Sequence, residues 1–295
     1  MMRKIGCVIS YCSNDYRFLS SCIEGLKPIA REIVVSVCDH FFDGTPEDRG
    51  LLDLSYSQHP DIKFIEYPLS DSYGLYGGAK VGREALARYR ANAGRYVGLL
   101  SLSEDIEYVL FADVDELAEK ERLKEWLAQE KLSDAMLFSS YLYLGHEGRR
   151  SSTLGYSYLL VKKEMLSPEM LFHSFERPGF FNSFTGAKKT VLGLDGKPMI
   201  HHYNWVRSDA ELKKKVVTWG HQEEQDWLTL IEEEQLEKGS GLTYTNVFPV
   251  HSLLSTEVES LRGRDSFEEK KFTNVVLVTP ESVAKRWIER EFFGK

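Results

Sequence analysis

The sequence predicts an α/β fold, a mixed and mostly parallel sheet flanked by helices on both faces. Three observations predict it. Apolar runs alternate with amphipathic stretches from residue 4 to residue 113, in the order strand, helix, strand, helix, strand, helix, strand. The apolar runs are almost unbroken, as strands buried on both faces require. Each run ends in polar or glycine-containing residues, and in such sheets ligands bind beyond the carboxyl ends of the strands.

The elements follow in order. "KIGCVIS" (4–10) reads as a buried strand. "DYRFLSSCIEGLKPI" has apolar residues at helical spacing and stops at Gly25 and Pro28. "REIVVSVCD" is a second strand ending at Asp39, "GLLDLSYSQHP" a short helix and "IKFIEYP" a third strand. "SYGLYGGAKVGREALARYRANAG" opens with glycines and continues as an amphipathic helix. "IEYVLFADVDE" is a fourth strand that runs into Asp113, Asp115 and Glu116. After residue 133, "AMLFSSYLYLG", "LGYSYLLVKK", "AKKTVLGL" and "KPMIHHYNWV" read as shorter strands extending the same sheet. Covering helices are expected at about 208–238 and 280–291, and no Pro/Gly/Ser linker separates a second domain.

Composition narrows the function classes. The 295 residues are 42% hydrophobic and 28% charged, as in soluble globular proteins. A net charge of -8 argues against a nucleic-acid partner, which requires a basic face. No apolar run approaches the roughly 20 residues that span a bilayer. "MMRKIGCVIS" lacks a small-residue cleavage site, and Cys7, Cys12, Cys22 and Cys38 show no metal-ligand spacing. Reduced cysteines in a cytoplasmic protein are the expectation.

Asp113 and Asp115 are two apart at the end of a buried run. Unpaired carboxylates are costly to bury, so they need a cation, donors or water. Mn²⁺ or Mg²⁺ would be held by such oxygens and would clamp a diphosphate. An acidic start to a helix near Glu119 is the bland alternative. A calcium loop of the EF-hand type fails, because its sixth and twelfth positions would be Ala118 and Lys124. A phosphatase of the haloacid-dehalogenase type would carry its DxD in the first strand, followed by Thr or Val where Leu117 stands.

"CVISYCSNDYRFLSSCIEGLKPIAREIVVSVCD", the glycine-bearing turn into a helix, and "YVLFADVDE" together resemble nucleotide-sugar-dependent glycosyltransferases of the GT-A (Rossmann-like) fold, most closely glycosyltransferase family 2. "MIHHYNWVRSDAELKKKV" resembles a segment of bacterial members, and the likeness covers roughly residues 4–225. It implies a single domain over 1–295, with a nucleotide-binding half of about 1–118 and an acceptor-side half of about 119–295. It implies a metal-dependent, inverting transfer of a sugar from a UDP- or GDP-type donor to a glycan hydroxyl. Ser10, Tyr11 and Asn14 would border the nucleotide, Asp39 the base or ribose, and Gly77, Gly78 and Lys80 the close turn. Asp113 would contact ribose or sugar, or reach the metal through water, and Asp115 would ligate the metal directly. The turn "HFFDGTPED" departs from the family's short Asp-Gly-Ser type, which leaves Asp43 as a rival to Asp39.

The second half offers further candidates. His202 is the preferred histidine for the metal, ahead of His201, and Arg207 the preferred diphosphate contact. The Lys213–Lys215 run reads as a solvated helix face. An inverting transfer needs a general base. Glu176, Glu224 and Asp226 are the leading candidates, with Asp209 and Glu223 behind them. Phe180, Phe181 and Trp205 are candidate sugar-stacking rings. Two alternatives share the sheet. A sugar-phosphate nucleotidyltransferase would carry a glycine-rich basic loop where "YCSNDYRF" stands, and a binding module would have lost turnover.

Overall fold

The computed structural model describes residues 3–69, 83–144, 149–167, 170–171, 177–222, 226–229, 231–232, 244–247 and 272–278. The four early strands form as expected: β1 (Ile5–Tyr11), β2 (Glu32–Cys38), β3 (Lys63–Tyr67) and β4 (Tyr108–Asp113). Between them lie α1 (Tyr16–Leu26), α2 (Arg49–Gln58) and α3 (Arg83–Leu100). β1 pairs in parallel with both β2 and β4, and β2 with β3. Each of these strands is buried on both faces because alternate side chains meet different helices. Cys7, Ile9, Val35 and Leu110 pack with Phe18, Leu52 and Leu123 on one side. Val8, Val34, Val109 and Phe111 pack with Ala93, Tyr96 and Val97 of α3 on the other. Gly98 explains how closely α3 approaches β1, since a Cβ there would fall 2.3 Å from Val8 Cγ1.

The remaining elements are β5 (Glu116–Ala118), α4 (Lys120–Gln129), β6 (Ala135–Leu144), β7 (Arg149–Lys162) and α5 (Arg177–Ser183). They are followed by β8 (Lys188–Val191), β9 (Ile200–Trp205), α6 (Asp209–Thr218), β10 (Tyr244–Val247) and β11 (Val275–Leu277). Among the described residues the result is one 11-stranded sheet in the order β11-β3-β2-β1-β4-β7-β6-β9-β5, with β10 on β7 and β8 on β6. Six pairings are parallel and four antiparallel. The fold is therefore α/β, mixed and mostly parallel, with helices on both faces, consistent with the GT-A class. β4 pairs in parallel with β1 on one side and antiparallel with β7 on the other.

The structure differs from the sequence expectation at several places: the helix expected over about 208–238 ends at Thr218 as α6, and the one expected at 280–291 lies outside the described residues. β6 covers the stretch read as a strand, but β7 is 14 residues long and starts at Arg149, ahead of the "LGYSYLLVKK" read from the sequence. Serines and a glycine at the centre of β7 hid its length, and pairing with β6 supplies what composition did not. Residues 116–118 form β5 rather than leading straight into a helix, because β9 pairs antiparallel with them. "RPGFFNS", which carries two of the candidate sugar-stacking rings, is α5, whose Phe180 and Phe181 are buried against the sheet. No helix among the described residues is long and apolar enough to cross a membrane. All four cysteines are free thiols, and burial pushes the Cys38 thiol up to about 12.

Candidate functional site

A cavity of about 230 Å³ opens at the carboxyl ends of β1, β2, β3 and β4. Its position follows from topology. Chain connections leave β1 toward β2 on one side, while β4 returns on the other, so a crevice forms above their common edge. Ser10 of β1 stands opposite Asp113 of β4 in the register, at the centre of that edge. Ser10, Tyr11 and Asn14, the residues expected to border a nucleotide, all line the cavity. Ser10 Oγ is buried with no hydrogen-bond partner. Tyr11 turns its hydroxyl away to Ser55 Oγ at 2.7 Å, so it offers the cavity its ring and backbone. Asn14 Nδ2 donates to Thr218 Oγ1 at 3.1 Å.

One flank is aromatic and amide-like. His40, Phe41, Phe42 and Tyr67 rise from the ends of β2 and β3. Trp219 and His221 close the far rim after α6. Trp219 packs edge-on against Trp205 and Trp227, and its indole N–H is buried without a partner. Trp205, expected to stack on sugar, supports Trp219 instead of lining the cavity. Phe180 and Phe181, expected in the same role, are buried in the core.

The other flank is charged. Asp113, Asp115 and Glu116 each meet cationic side chains. Arg177 grips Glu116 with two bonds, Nη1 to Oε2 at 2.5 Å and Nη2 to Oε1 at 2.6 Å, and donates to Asp113 Oδ2 at 2.7 Å. Arg95 reaches Asp113 Oδ1 at 3.4 Å. Asp115 Oδ2 accepts from Lys215 Nζ at 2.6 Å and from Arg207 Nη2 at 3.0 Å. His202 Nε2 lies 3.5 Å from Asp115 Oδ1. Arg207 also lies 2.5 Å from Asp15 Oδ1, close enough for an ion pair though not aligned as a hydrogen bond.

These contacts set the protonation states. Burial would raise the Asp115 carboxyl, but Lys215, His202 and Arg207 more than offset that and hold it well below the usual range. Burial dominates at Glu116 and raises it, with Arg177 opposing. Burial would lower His202, but Asp115 and Glu116 prevail and raise it. Near the aromatic flank, burial pushes Glu47 up to about 7, against hydrogen bonds from Ser13.

Several sequence expectations change here. Arg207 is not on the cavity wall; it is buried behind Asp115, where it holds that carboxylate in place. Lys215 is not solvated. It is buried and lines the cavity, because the capping box of Ser208 and Glu211 sets the phase of α6 so that Lys215 faces inward. Asp39 does not line the cavity; its Oδ1 accepts from Leu69 N–H and from His40 Nδ1, both at 2.7 Å, anchoring the chain after β3. Asp43 is tied to Thr45 in a surface turn. Asp226, a candidate base, is exposed and accepts from the backbone and hydroxyl of Thr229, so it caps the turn at 227–229. Asp209 opens α6 at its solvent end. His201 points away from His202 across β9, bonded to Tyr143 and Glu119. Glu176, Glu223, Glu224, Gly77, Gly78 and Lys80 lie outside the described residues.

The side chains do not fit a divalent metal in this arrangement. Both oxygens of Asp113 and one of Asp115 accept from cationic groups, and the last Asp115 oxygen faces His202. Among the described residues no group of three or more His, Cys, Asp or Glu is placed to hold a metal ion. Arg95 and Arg177 escaped the sequence reading, and Lys215 was read as solvated, because they come from α3, α5 and α6, 18 to 100 positions away from the carboxylates they meet. The one available signal was helical phase, which places Glu211 and Lys215 on one face of α6.

No protein-family profile matches the chain, and no curated protein matches it. Solved structures do. The chain is similar to a 4-diphosphocytidyl-2C-methyl-D-erythritol synthase from Anaerococcus prevotii, at 12% identity and TM-score 0.43, over 72% of this chain and 97% of that one. It is similar to the glycosyltransferase GlyE of Streptococcus pneumoniae, at 13% identity and TM-score 0.38, over 80% and 64%. It is similar to the galactosyltransferase LgtC, solved with donor and acceptor sugar analogues, at 14% identity and TM-score 0.38, over 82% and 97%. Likenesses this distant assign neither a family nor a reaction, and the fold stands on the sheet itself.

Proposed function

We propose that the protein is a glycosyltransferase that moves a sugar from a nucleotide-diphosphate donor, of the UDP or GDP type, to a carbohydrate hydroxyl. One observation carries this reading: a single cleft at the topological switch point joins an aromatic and amide flank to a flank of buried cations. The first suits a nucleobase and ribose, and the second suits a diphosphate. The donor would lie with its base between Tyr11 and Phe41 and its diphosphate toward Arg177 and Lys215. Its sugar would then point to the rim formed by Tyr156, Trp219 and His221, where an acceptor can approach.

In the reaction the acceptor oxygen bonds to the anomeric carbon as the bond from that carbon to the diphosphate breaks. The nucleoside diphosphate leaves with the electron pair, the acceptor proton passes to a base, and configuration inverts. The cations stabilise charge that grows on the leaving diphosphate. The metal expected from the Asp113–Asp115 pair has no place in this reading, because the side chains present do not fit it.

The test is a transfer assay. Radiolabelled UDP- and GDP-sugars are incubated with the full chain and a panel of glycan acceptors, and nucleoside diphosphate release is measured. Acceptor-dependent release supports the reading. Pyrophosphate release from a nucleoside triphosphate and a sugar 1-phosphate would instead identify a nucleotidyltransferase. Donor binding with no release under any acceptor would identify a binding module.

A further inference from the structure

The carboxylates that suggest a metal are already matched by the chain's own cations. Asp15, Asp113, Asp115 and Glu116 stand against Arg95, Arg177, Arg207 and Lys215, four negative groups against four positive. Apart from the partly exposed Asp113, all of these residues are buried. A divalent ion coordinated by Asp115 would displace Lys215 and Arg207 from the oxygen they share. It would then sit beside two buried positive charges that kept only Asp15 between them, which is a costly arrangement. The balanced site offers a cation no excess negative charge.

An incoming diphosphate meets the same balanced charge, but the site offers it unused N–H and O–H donors. Lys215 has three N–H donors and spends one on Asp115 Oδ2 at 2.6 Å. Arg95 Nε is buried with no partner, and so is Ser10 Oγ on the same wall. Arg95, Arg177, Lys215 and Ser10 all line the cavity. The donors are present, and each cation is bonded to a carboxylate.

We propose that this cleft holds its diphosphate with Arg95, Arg177 and Lys215 in place of a divalent metal, and that Asp113, Asp115 and Glu116 serve to position those cations. The inference rests on the nucleotide-sugar reading and specifies how the donor is held. It gives the aspartate pair a new role: Asp115 is a positioning residue for Lys215, not a metal ligand.

The experiment is calorimetric titration of the full chain with UDP, GDP, CDP and dTDP, each in EDTA, in Mn²⁺ and in Mg²⁺. The nucleotide that binds is expected to do so with the same Kd, within about threefold, in all three conditions; threefold is about half the tenfold step in free energy. Electron paramagnetic resonance is expected to show Mn²⁺ free in solution with the protein alone and with the nucleotide complex. A Kd tightened tenfold or more by either metal, or Mn²⁺ immobilised by the complex, overturns this proposal and leaves the nucleotide-sugar reading in place. Absence of binding in every condition overturns both. Lys215→Gln, which keeps a donor and removes the charge, is expected to weaken binding in EDTA by about tenfold or more, the scale of a charge-assisted hydrogen bond. If circular dichroism shows that this variant does not fold, Arg95→Gln is titrated in its place. An unchanged Kd in the folded variant overturns the proposal.

Discussion

Glu47 shows how one residue couples the cleft to pH. Its Oε2 accepts from the backbone N–H of Ser13 at 2.9 Å and from the Ser13 hydroxyl, while the side chain is buried. Burial raises its carboxyl from an ordinary 4.5 to about 7. A raised carboxyl adds stability that is fully present below pH 4.5 and is lost as pH rises through 7. The size of that loss is on the order of 3 kcal/mol. Glu47→Gln removes the titration and keeps an oxygen for Ser13. Urea denaturation at pH 5 and pH 8 is expected to show the variant gaining on wild type at the higher pH; an equal difference at both would refute the assignment. Arg177 makes a second test at this scale. Its removal leaves Glu116, which is fully buried, without its charged partner. Arg177→Ala is expected to cost about 3–5 kcal/mol in a denaturation curve.

Among the elements, α6 and α3 matter most to the cleft. α6 begins with a capping box in which Ser208 bonds the backbone N–H of Glu211 and Glu211 returns a bond to the backbone of Ser208. This sets where the helix starts and so where Lys215 points. Ser208→Ala is expected to cost about 1 kcal/mol of stability by thermal denaturation. It is also expected to weaken any ligand held by Lys215 more than a surface substitution of equal cost would. α3 presses on β1 through Gly98, where a methyl group has no room beside Val8. Gly98→Ala gains helix propensity but forces the helix off the sheet, a net loss of about 1–3 kcal/mol. A melting temperature unchanged by that substitution would show that α3 packs less closely than described.

For the whole molecule, the sheet order decides that residues far apart in the chain face one cavity. β1, β4, β9, α3, α5 and α6 all contribute, so ligand binding ties the two halves together. A nucleotide at about 100 times its Kd is expected to raise the unfolding free energy by about 2.7 kcal/mol. Thermal melts monitored at tryptophan and by far-ultraviolet circular dichroism should shift together, because the cleft spans the sheet. A shift in the tryptophan signal alone would mean that the rim responds to ligand independently of the core.

The sequence by itself determined the alternation of β1 to β4 with α1 to α3, and hence the edge on which a ligand sits. It could do so because burial on both faces leaves unbroken apolar runs, and those runs are local. It also marked Ser10, Tyr11, Asn14 and the Asp113–Asp115 pair as belonging to that edge. What the pair is bonded to was decided only by the tertiary structure. Arg177 carried no signal, Lys215 looked like a solvated face, and Arg207 like a ligand contact. Packing of α5 into the core, pairing of β5 with β9 and the phase of α6 brought these charges onto the carboxylates. A carboxylate in sequence announces a need for positive charge, because burying it alone is costly. Whether a metal or a distant arginine or lysine meets that need depends on contacts between chain segments up to 100 residues apart, and no local pattern records them.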